Sequence, residues 1–246
     1  MTQREMLRIV QTQLATDLNC SPSDFDRNGV VFCEAKENPG RRPFPRGDRH
    51  IEMHTMGDAV IVSATPDILP YLREQLDGKN REEAFDVPFI HGRGICHLPD
   101  ATKLTPISAP DGIDIVTVRQ PDIPKLYVHK GFSYAIWYEP HIRPETLVTV
   151  AYADGVVAGM AGASGDCAML WQIGINVLPE YRGRGIAAAL TNRLAIEILD
   201  CGKIPYYGAA ASNIASLRVA HRAGFHPAWA CIYRGRFGDA LTEPTS

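Results

Sequence analysis

Hydrophobic and polar positions in the first part of the chain alternate in distinct patterns. In residues 4–18 the apolar side chains recur near the 3.6-residue period of an amphipathic helix. Residues 30–32 and 59–62 are short, β-branched runs bounded by turn residues, and residues 66–76 return to a helical pattern. The sequence therefore predicts the order helix, strand, strand, helix, whereas residues 85–100 follow no single period.

The second part of the chain predicts a run of strands followed by a helix, a strand and a helix. Asp154-Gly155 between two apolar runs is a strong signal for a β-hairpin. Residues 98–114 are rich in Pro, Ser, Thr and Asp and lack a period, so we place a domain border near Pro110. The prediction is an α/β protein with two lobes, residues 1–110 and 111–246. The predicted strands are residues 115–119, 147–152, 156–163, 169–177 and 204–209, and the predicted helices are residues 185–199 and 213–223.

Composition narrows the class of protein. The 246 residues are 45% hydrophobic and 22% charged, which is typical of folded chains and excludes a disordered one. No apolar run reaches the ~18 residues of a membrane span, and the N-terminus is not uniformly apolar as a signal peptide would be. We therefore expect a cytoplasmic protein with no membrane partner. The six cysteines form no CxxC pair, so we expect mostly buried thiols, with neither a zinc site nor a disulfide framework.

Charge excludes one kind of partner and marks one segment. The net charge is −3, whereas proteins that bind nucleic acid usually carry a basic excess, so no nucleic-acid partner is expected. The exception is a Pro- and Gly-rich stretch that contains Arg41, Arg42, Arg46 and Arg49. A solvated loop is the simpler interpretation of this stretch, and an anion-binding site is the alternative.

The most informative segment is INVLPEYRGRGIAAAL, in which a predicted strand leads into a turn and then into an Ala- and Leu-rich helix. The first backbone N–H groups of a helix have no acceptor within it and lie at its positive end, where an anion can bind. Gly183 and Gly185 carry no Cβ, so a ligand can approach the backbone closely. Arg182 and Arg184 add positive charge that suits a phosphate. The pattern predicts a phosphate-binding turn.

Two kinds of phosphate ligand are compatible with this turn. Gly183-x-Gly185-x-x-Ala188 satisfies the relaxed fingerprint of an NAD- or FAD-binding domain. However, a Pro-Glu-Tyr-Arg spacer separates the strand from the turn, and only about sixty residues follow, too few for the rest of such a domain. A helix that merely begins with a glycine turn is a third interpretation.

The other ligand is a coenzyme A. Arg182-Gly183-Arg184-Gly185-Ile186-Ala187 resembles, position by position, the pyrophosphate motif of the GCN5-related N-acetyltransferase (GNAT) superfamily, two-domain bacterial type. Asn213, which opens a predicted helix closing in Ala223-Gly224-Phe225, resembles the family's next signature. The resemblance covers residues 114–236, about half of the chain. It implies a C-terminal GNAT-like mixed sheet flanked by helices. The N-terminal α/β lobe carries no recognised motif, and it is either a degenerate copy of the same fold or a lid that shapes the acceptor site.

The resemblance also implies a site for acetyl-CoA and requires no metal. In the family the strand before the turn separates from its neighbour and pairs with the pantetheine arm, and the Val177 N–H would then polarise the thioester carbonyl as a one-group oxyanion hole. The turn would hold the pyrophosphate, and the last helix would touch the coenzyme. The residues so implied for acetyl-CoA binding are Ile175, Asn176, Val177, Arg182, Gly183, Arg184, Gly185, Ile186, Ala187, Ala188, Asn213 and Ser216.

The implied reaction is direct attack of an amine on the thioester, which needs a base for the ammonium and benefits from an acid at the leaving sulfur. The acidic residue or histidine that often serves as general base in the family aligns near Trp171 or Ile173. The tyrosine that often serves as general acid aligns with Ala220. Neither group is present at these positions. We expect Tyr207 as the acid and Asp166 or Glu139 as the base. Tyr206, His141, His221 and a base acting through water are the alternatives.

The sequence thus predicts an acyltransferase that moves an acetyl group from acetyl-CoA to a primary amine of a small molecule or peptide. A cluster of Trp137, Tyr138, Trp171 and Trp229 at the acceptor side would favour an apolar or aromatic amine, although core packing is the simpler explanation. A homodimer is compatible with the sequence. A non-catalytic protein that binds or senses acyl-CoA is the alternative function, because the family's base and acid are missing.

Overall fold

The computed structural model describes residues 1–42, 49–139 and 144–232, and the backbone of residues 234–235. Internal contacts divide the chain into two compact units. The larger unit comprises residues 1–6 and 97–226, and the smaller unit comprises residues 7–96 and 227–246. The border predicted near Pro110 falls inside the larger unit.

Five α-helices and twelve strands lie in the described residues. The helices are α1 (Gln3–Leu18), α2 (Leu69–Leu76), α3 (Arg81–Phe85), α4 (Ile186–Asp200) and α5 (Ile214–Arg222). The strands are β1 (Gly29–Glu34), β2 (Ile51–Thr55), β3 (Ala59–Ala64), β4 (Ile90–His91), β5 (Gly94–Pro99), β6 (Ile113–Arg119), β7 (Glu145–Ala153), β8 (Val156–Gly165), β9 (Leu170–Val177), β10 (Ile204–Ala210), β11 (Phe225–Ile232) and β12 (Arg234–Gly235).

The core of the smaller unit forms between β3 and α2. β1 pairs in parallel with β3, and β2 pairs antiparallel with both β3 and β11. Every residue of β3 is buried, as its β-branched sequence AVIVSA predicts. Leu72 and Leu76 of α2 are four residues apart, so they share one face of the helix, and both are fully buried in the same core as Val60 and Val62.

The larger unit is built on a mixed sheet in the order β10-β9-β8-β7-β6. β9 and β10 are parallel, and the other neighbours are antiparallel. α4 packs on one face, where Leu190 and Leu194 share a core with Ala161 and Ala163 of β8. These small side chains allow the helix to approach the sheet closely. The mixed sheet with flanking helices confirms the fold class predicted from the sequence.

Several predicted elements are confirmed with shifted ends. The hairpin between β7 and β8 turns at Asp154 and Gly155, which have left-handed φ values of 49° and 79°. Residues 85–100, which the sequence left unassigned, contain β4 and β5. None of the helices in the described ranges has the length and apolarity that crossing a bilayer requires.

Candidate functional site

The two parallel strands of the larger unit pair over only part of their length. Residues 170–173 of β9 face residues 204–207 of β10, although each strand continues beyond this register. The strands therefore separate, and we call the space between their remaining residues, 174–177 and 208–210, the β9–β10 gap. Strand edges that separate in this way present backbone donors and acceptors to a ligand.

The hydrogen-bond pattern between β8 and β9 decides which residues face the gap. The Leu178 N–H donates to the Ala158 carbonyl at 3.0 Å, in continuation of this antiparallel ladder. Bonded and non-bonded pairs alternate in such a ladder, so the backbone of Asn176 is turned toward β8. Ile175 and Val177 point their N–H and C=O groups away from β8, toward the gap. Of the three residues predicted to pair with pantetheine, the structure thus brings the backbone of two to the gap.

The predicted phosphate turn directly follows β9. A 3₁₀ turn at Pro179–Tyr181 leads to Gly183 and Gly185, whose φ values of 78° and 87° are left-handed and favour glycine. α4 begins at Ile186, and residues 182–185 are exposed. The first N–H groups of α4 have no acceptor within the helix because of helical geometry. A Cβ on Gly183 would meet no atom within 4 Å, so the turn is open to a ligand.

Both arginines of the turn are tethered to backbone carbonyls. Arg182 Nε donates to the Val177 carbonyl at 3.0 Å, and Arg184 Nη2 donates to the Asp111 carbonyl at 3.4 Å. A guanidinium carries five N–H donors, so each side chain keeps donors for a second partner. The turn therefore has the open backbone and the positive charge that a pyrophosphate requires.

The topology does not favour the dinucleotide interpretation of the same turn. The glycine fingerprint of NAD-binding domains follows a strand in a parallel, doubly wound sheet. Here β9 is antiparallel to β8, and its parallel pairing with β10 spans only residues 170–173.

Tyr207 lies where β9 and β10 separate. Its hydroxyl oxygen is 2.8 Å from Ser216 Oγ in the first turn of α5, and either hydroxyl can donate. Asn213 caps this helix, because its side-chain oxygen accepts the Ser216 N–H at 3.1 Å. Burial raises the pKa of Tyr207, and the hydrogen bond to Ser216 offsets part of that rise. His97, which the sequence analysis missed, lies beside it, with Nδ1 donating to the Tyr207 carbonyl at 3.2 Å.

Asp166 is not part of this arrangement. It is buried, and it accepts hydrogen bonds from the hydroxyls of Ser164, at 3.0 Å, and of Tyr206. Tyr206 and Tyr207 are consecutive in a strand, so their side chains point to opposite faces of the sheet. Tyr206 also stands opposite Gln172, five residues before Val177, which corresponds to roughly 16 Å along a strand. The structure therefore separates Asp166 from the N–H that was expected to polarise the thioester.

Two glycines that the sequence analysis missed allow residues 132–138, which we call the covering segment, to lie directly on the sheet. A Cβ on Gly174 would stand 1.7 Å from the Tyr134 carbonyl oxygen, and one on Gly162 would stand 1.8 Å from that of Ala135. Neither distance is compatible with any side chain. A glycine inside a strand often marks such a close backbone approach, so the signal was present in the sequence.

Polar side chains hold the covering segment in place. Asn176, whose backbone bonds to β8, uses its side-chain oxygen to accept the Tyr134 N–H at 2.7 Å. Glu145, only 2% exposed, accepts hydrogen bonds from the Trp137 N–H and from the Tyr127 hydroxyl. The backbone of the segment is thus fixed, whereas the side chains of Tyr134 and Trp137 are 79% and 45% exposed.

The remaining candidates are distributed over the chain. Glu139 is exposed and directly follows the covering segment, and His141 and Arg46 lie outside the described residues. Trp171 belongs to the larger unit and Trp229 to the smaller one.

The arginine stretch faces carboxylates of its own unit. Arg42 Nε lies 2.6 Å from Asp17 Oδ2, and Arg41 Nη2 lies 3.5 Å from Glu52 Oε2. The more exposed Arg49 pairs with Asp67. Because these guanidinium groups are matched by acidic groups, the described part of the stretch does not favour the anion-binding interpretation.

The part of the chain that contains the gap and the turn is similar to one known family. The model of the acetyltransferase (GNAT) family matches residues 113–225. A comparison with curated proteins finds no match. Similar solved structures include a GCN5-related N-acetyltransferase-like protein from Streptococcus suis, which is 15% identical, with a TM-score of 0.48 over 94% of this chain and 99% of that one.

Two further similar structures are GNAT proteins from Colwellia psychrerythraea and Kribbella flavida. They are 14% and 17% identical, with a TM-score of 0.46 each, over 64% and 62% of this chain. The matched part spans 61% of the length of each of these two proteins.

Proposed function

We propose that this protein is an N-acetyltransferase that moves the acetyl group of acetyl-CoA to a primary amine of a small molecule or peptide, because residues 113–225 match the model of the acetyltransferase (GNAT) family. One observation carries this proposal. The open, left-handed turn at Gly183 and Gly185 adjoins the β9–β10 gap, so sites for a pyrophosphate and for an extended arm are continuous.

The chain's own residues suit the two ends of the coenzyme. The N–H groups at the start of α4, with Arg182 and Arg184, would bind the pyrophosphate. The backbone of Ile175 and Val177 would pair with the pantetheine arm, and the Val177 N–H is the proposed donor to the thioester oxygen. Asn213 and Ser216 are proposed to touch the coenzyme from α5, in addition to their bonds within the protein.

Bound acetyl-CoA supplies an activated thioester. The amine attacks its carbonyl carbon, a C–N bond forms, the C–S bond breaks, and the sulfur leaves with a proton. Tyr207 is the proposed proton donor, because a phenol is protonated at neutral pH and its hydroxyl lies beside Ser216 at the start of α5. Burial raises its pKa, which makes it a weaker acid than a free tyrosine. Glu139 is the proposed base, directly or through water. Asp166 is left out of the proposal because it is buried and its carboxylate already accepts the hydroxyls of Ser164 and Tyr206.

Binding is tested by the melting temperature with saturating acetyl-CoA, with NAD as the control ligand. A ligand at a hundred times its Kd that binds only the folded state stabilises it by about 2.7 kcal/mol. We expect a rise with acetyl-CoA alone. A rise with NAD alone would instead favour a dinucleotide site.

A matched pair of variants locates the binding site. Gly183→Ala and Gly202→Ala both place a Cβ on a left-handed residue with no neighbour within 4 Å, at opposite ends of α4. Their backbone costs are therefore similar, about 1–2 kcal/mol. Gly183→Ala should weaken acetyl-CoA binding roughly tenfold or more, because the added methyl group would occupy open space beside the backbone that is proposed to bind the pyrophosphate. Gly202→Ala should bind as the wild type does, and equal losses in both variants would contradict the assignment.

Catalysis is a separate question, because Trp171 and Ile173 occupy the positions of the family's frequent base. Release of free thiol from acetyl-CoA in the presence of a panel of primary amines would demonstrate the transfer. Tight acetyl-CoA binding without thiol release for any amine would favour the alternative, a protein that binds or senses acyl-CoA.

A further inference from the structure

An open pocket of about 450 Å³ lies in the smaller unit, and every described residue that lines it belongs to that unit. Thr55, the last residue of β2, stands opposite Ala230, whereas β11 begins earlier, at Phe225. Residues 55–57 and 227–230 all line the pocket, which therefore lies beside β11 at the end of β2. Pockets that bind small molecules have volumes of roughly 300–1,000 Å³, so this one is large enough for such a ligand.

The lining of the pocket is mostly apolar and includes two aromatic side chains. Trp229 is only 3% exposed, and Phe85 packs against the core of the unit. Both side chains are held by their surroundings, so little freedom is lost at these positions when a ligand binds. The other apolar residues of the lining include Met56, Ile95 and Pro227. The pocket therefore suits a ligand with an apolar or aromatic body.

Arg81 supplies the only cationic side chain among the described residues of the lining. The start of α3 fixes its position, because the Asn80 side chain accepts the Glu83 N–H at 3.0 Å and the Asn80 N–H donates to Glu83 Oε2 at 2.9 Å. Arg81 Nη1 donates to the carbonyl of Gly57, another lining residue, at 2.8 Å. A guanidinium has five N–H donors, so Arg81 keeps donors for a ligand carboxylate.

The acidic neighbours of Arg81 favour a ligand with one carboxylate. Asp58 Oδ1 lies 3.7 Å from Arg81 Nη1, but the Asp58 side chain is 81% exposed, so water screens this ion pair. A ligand carboxylate can therefore compete with Asp58 for the guanidinium. Glu82 also lines the pocket and would repel a second carboxylate. These charges favour a monocarboxylate over both a neutral molecule and a dicarboxylate.

We propose that this pocket binds a small monocarboxylic acid with an apolar or aromatic body. Arg81 donates charge-assisted hydrogen bonds to the carboxylate. The body of the ligand packs on Phe85 and Trp229, which removes apolar surface from water. This site is additional to the proposed acetyl-CoA site, because none of the described lining residues belongs to the larger unit.

The test is a calorimetric titration of the full-length protein, without acetyl-CoA, with three probes that share a phenyl ring. The probes are 3-phenylpropionate, 3-phenylpropanol and phenylsuccinate. We expect 3-phenylpropionate to bind at least tenfold more tightly than either of the others, because it alone offers Arg81 a single carboxylate. Equal or tighter binding of another probe, or no binding of 3-phenylpropionate at millimolar concentration, would overturn the proposal. This comparison uses the wild type and does not depend on the folding of any variant.

Two variants test the role of Arg81. Arg81→Gln should weaken the binding of 3-phenylpropionate at least fivefold and leave that of 3-phenylpropanol unchanged, because only the charge-assisted bonds are lost. Arg93→Gln is the matched control, since Arg93 is similarly exposed and also pairs with an exposed carboxylate, that of Asp86, but does not line the pocket. This control should bind both probes as the wild type does. Equal losses in the two variants would contradict the assignment of Arg81.

The place of binding is tested by the chemical shifts of backbone amides during the titration with 3-phenylpropionate. The largest changes are expected at lining residues such as Gly57, Phe85 and Ala230. If residues 174–186 changed most, the probe would occupy the proposed acetyl-CoA site and the inference would be wrong. None of these measurements uses acetyl-CoA or requires turnover, so their outcomes are independent of the proposed function.

Discussion

Gly162 and Gly174 show how single residues determine the place of the covering segment. Each lies in a strand whose outward face is occupied by the carbonyl of residue 135 or 134, at distances that no Cβ can share. At these two positions the sheet is covered by the backbone of the covering segment instead of by a side chain. The only residue compatible with that contact is glycine.

We therefore predict that Gly174→Ala is strongly destabilising. The added methyl group would stand 1.7 Å from the Tyr134 oxygen, so the segment must move away from the sheet. Overpacking of this kind costs about 1–3 kcal/mol or more, and urea unfolding would measure it. Gly165→Ala on β8 is the matched control, since its nearest neighbour would be at an ordinary 3.4 Å. A Gly174→Ala variant as stable as Gly165→Ala would show that the segment does not rest on the sheet.

At the scale of elements, α4 is linked to two other parts of the larger unit by one buried amide. Asn192, 1% exposed, accepts the Ile107 N–H at 2.9 Å and donates to the carbonyls of Thr105 and Ala223 at 3.1 Å each. Residues 105–107 lie in the connection before β6, and Ala223 directly follows α5. A single side chain therefore satisfies three backbone groups from two segments.

Asn192→Ala should destabilise the larger unit by about 2–4 kcal/mol, because it leaves one donor and two acceptors without their partner. Thermal unfolding measures the loss. Arg193→Ala is the control on the next position of the same helix, where the side chain is largely exposed and its ion pair with Glu197 contributes little. Equal melting temperatures for the two variants would contradict this prediction, because water would then have to replace the Asn192 amide at all three backbone groups.

Elements with one dominant period could be predicted from the sequence, and elements that depend on tertiary contacts could not. The helices α1 and α4 and the β7–β8 hairpin follow from apolar periodicity and from Asp154-Gly155. β2 was missed, because its sequence IEMHT carries Glu52 and His54 into a largely buried strand. Burial of these groups depends on partners far along the chain.

The candidate site shows the same division. The turn at Gly183 and Gly185 could be predicted, because its glycines are required by a local backbone conformation. The separation of Asp166 from Val177, and the use of Asn176 through its side chain, could not. Both depend on strand register, and a shift of one residue would reverse every face.

At the scale of the whole molecule, a buried cluster of charged and titratable groups in the smaller unit links stability to pH. It contains Arg41, Arg42, Asp17 and Glu52 together with His50 and His54. Burial lowers the pKa of His54 to about 3 and, together with Arg41, that of His50 to about 4. Both histidines are therefore neutral in the folded protein over the range in which an exposed histidine takes up a proton.

This difference predicts a loss of stability in mild acid. Below the ordinary histidine pKa of about 6.5, the unfolded chain binds protons that the folded chain does not. The free energy of unfolding therefore decreases as the pH decreases. Each of the two histidines costs about 1 kcal/mol between pH of about 7 and about 5.5. Glu52 acts with the opposite sign, because burial raises its pKa and the folded state takes up its proton first.

His54→Leu should therefore halve the acid-induced decrease in the urea midpoint. The substitution is suitable because His54 Nδ1 is buried and has no hydrogen-bond partner among the residues that the structure describes, so an apolar side chain leaves none of their donors or acceptors unpaired at that nitrogen. His91→Gln, at an exposed position, is the control and should retain the wild-type dependence. The prediction is contradicted if His54→Leu loses as much stability as the wild type between neutral pH and pH of about 5.5. In that case either His54 is already protonated in the folded state, or the cluster opens before His54 titrates.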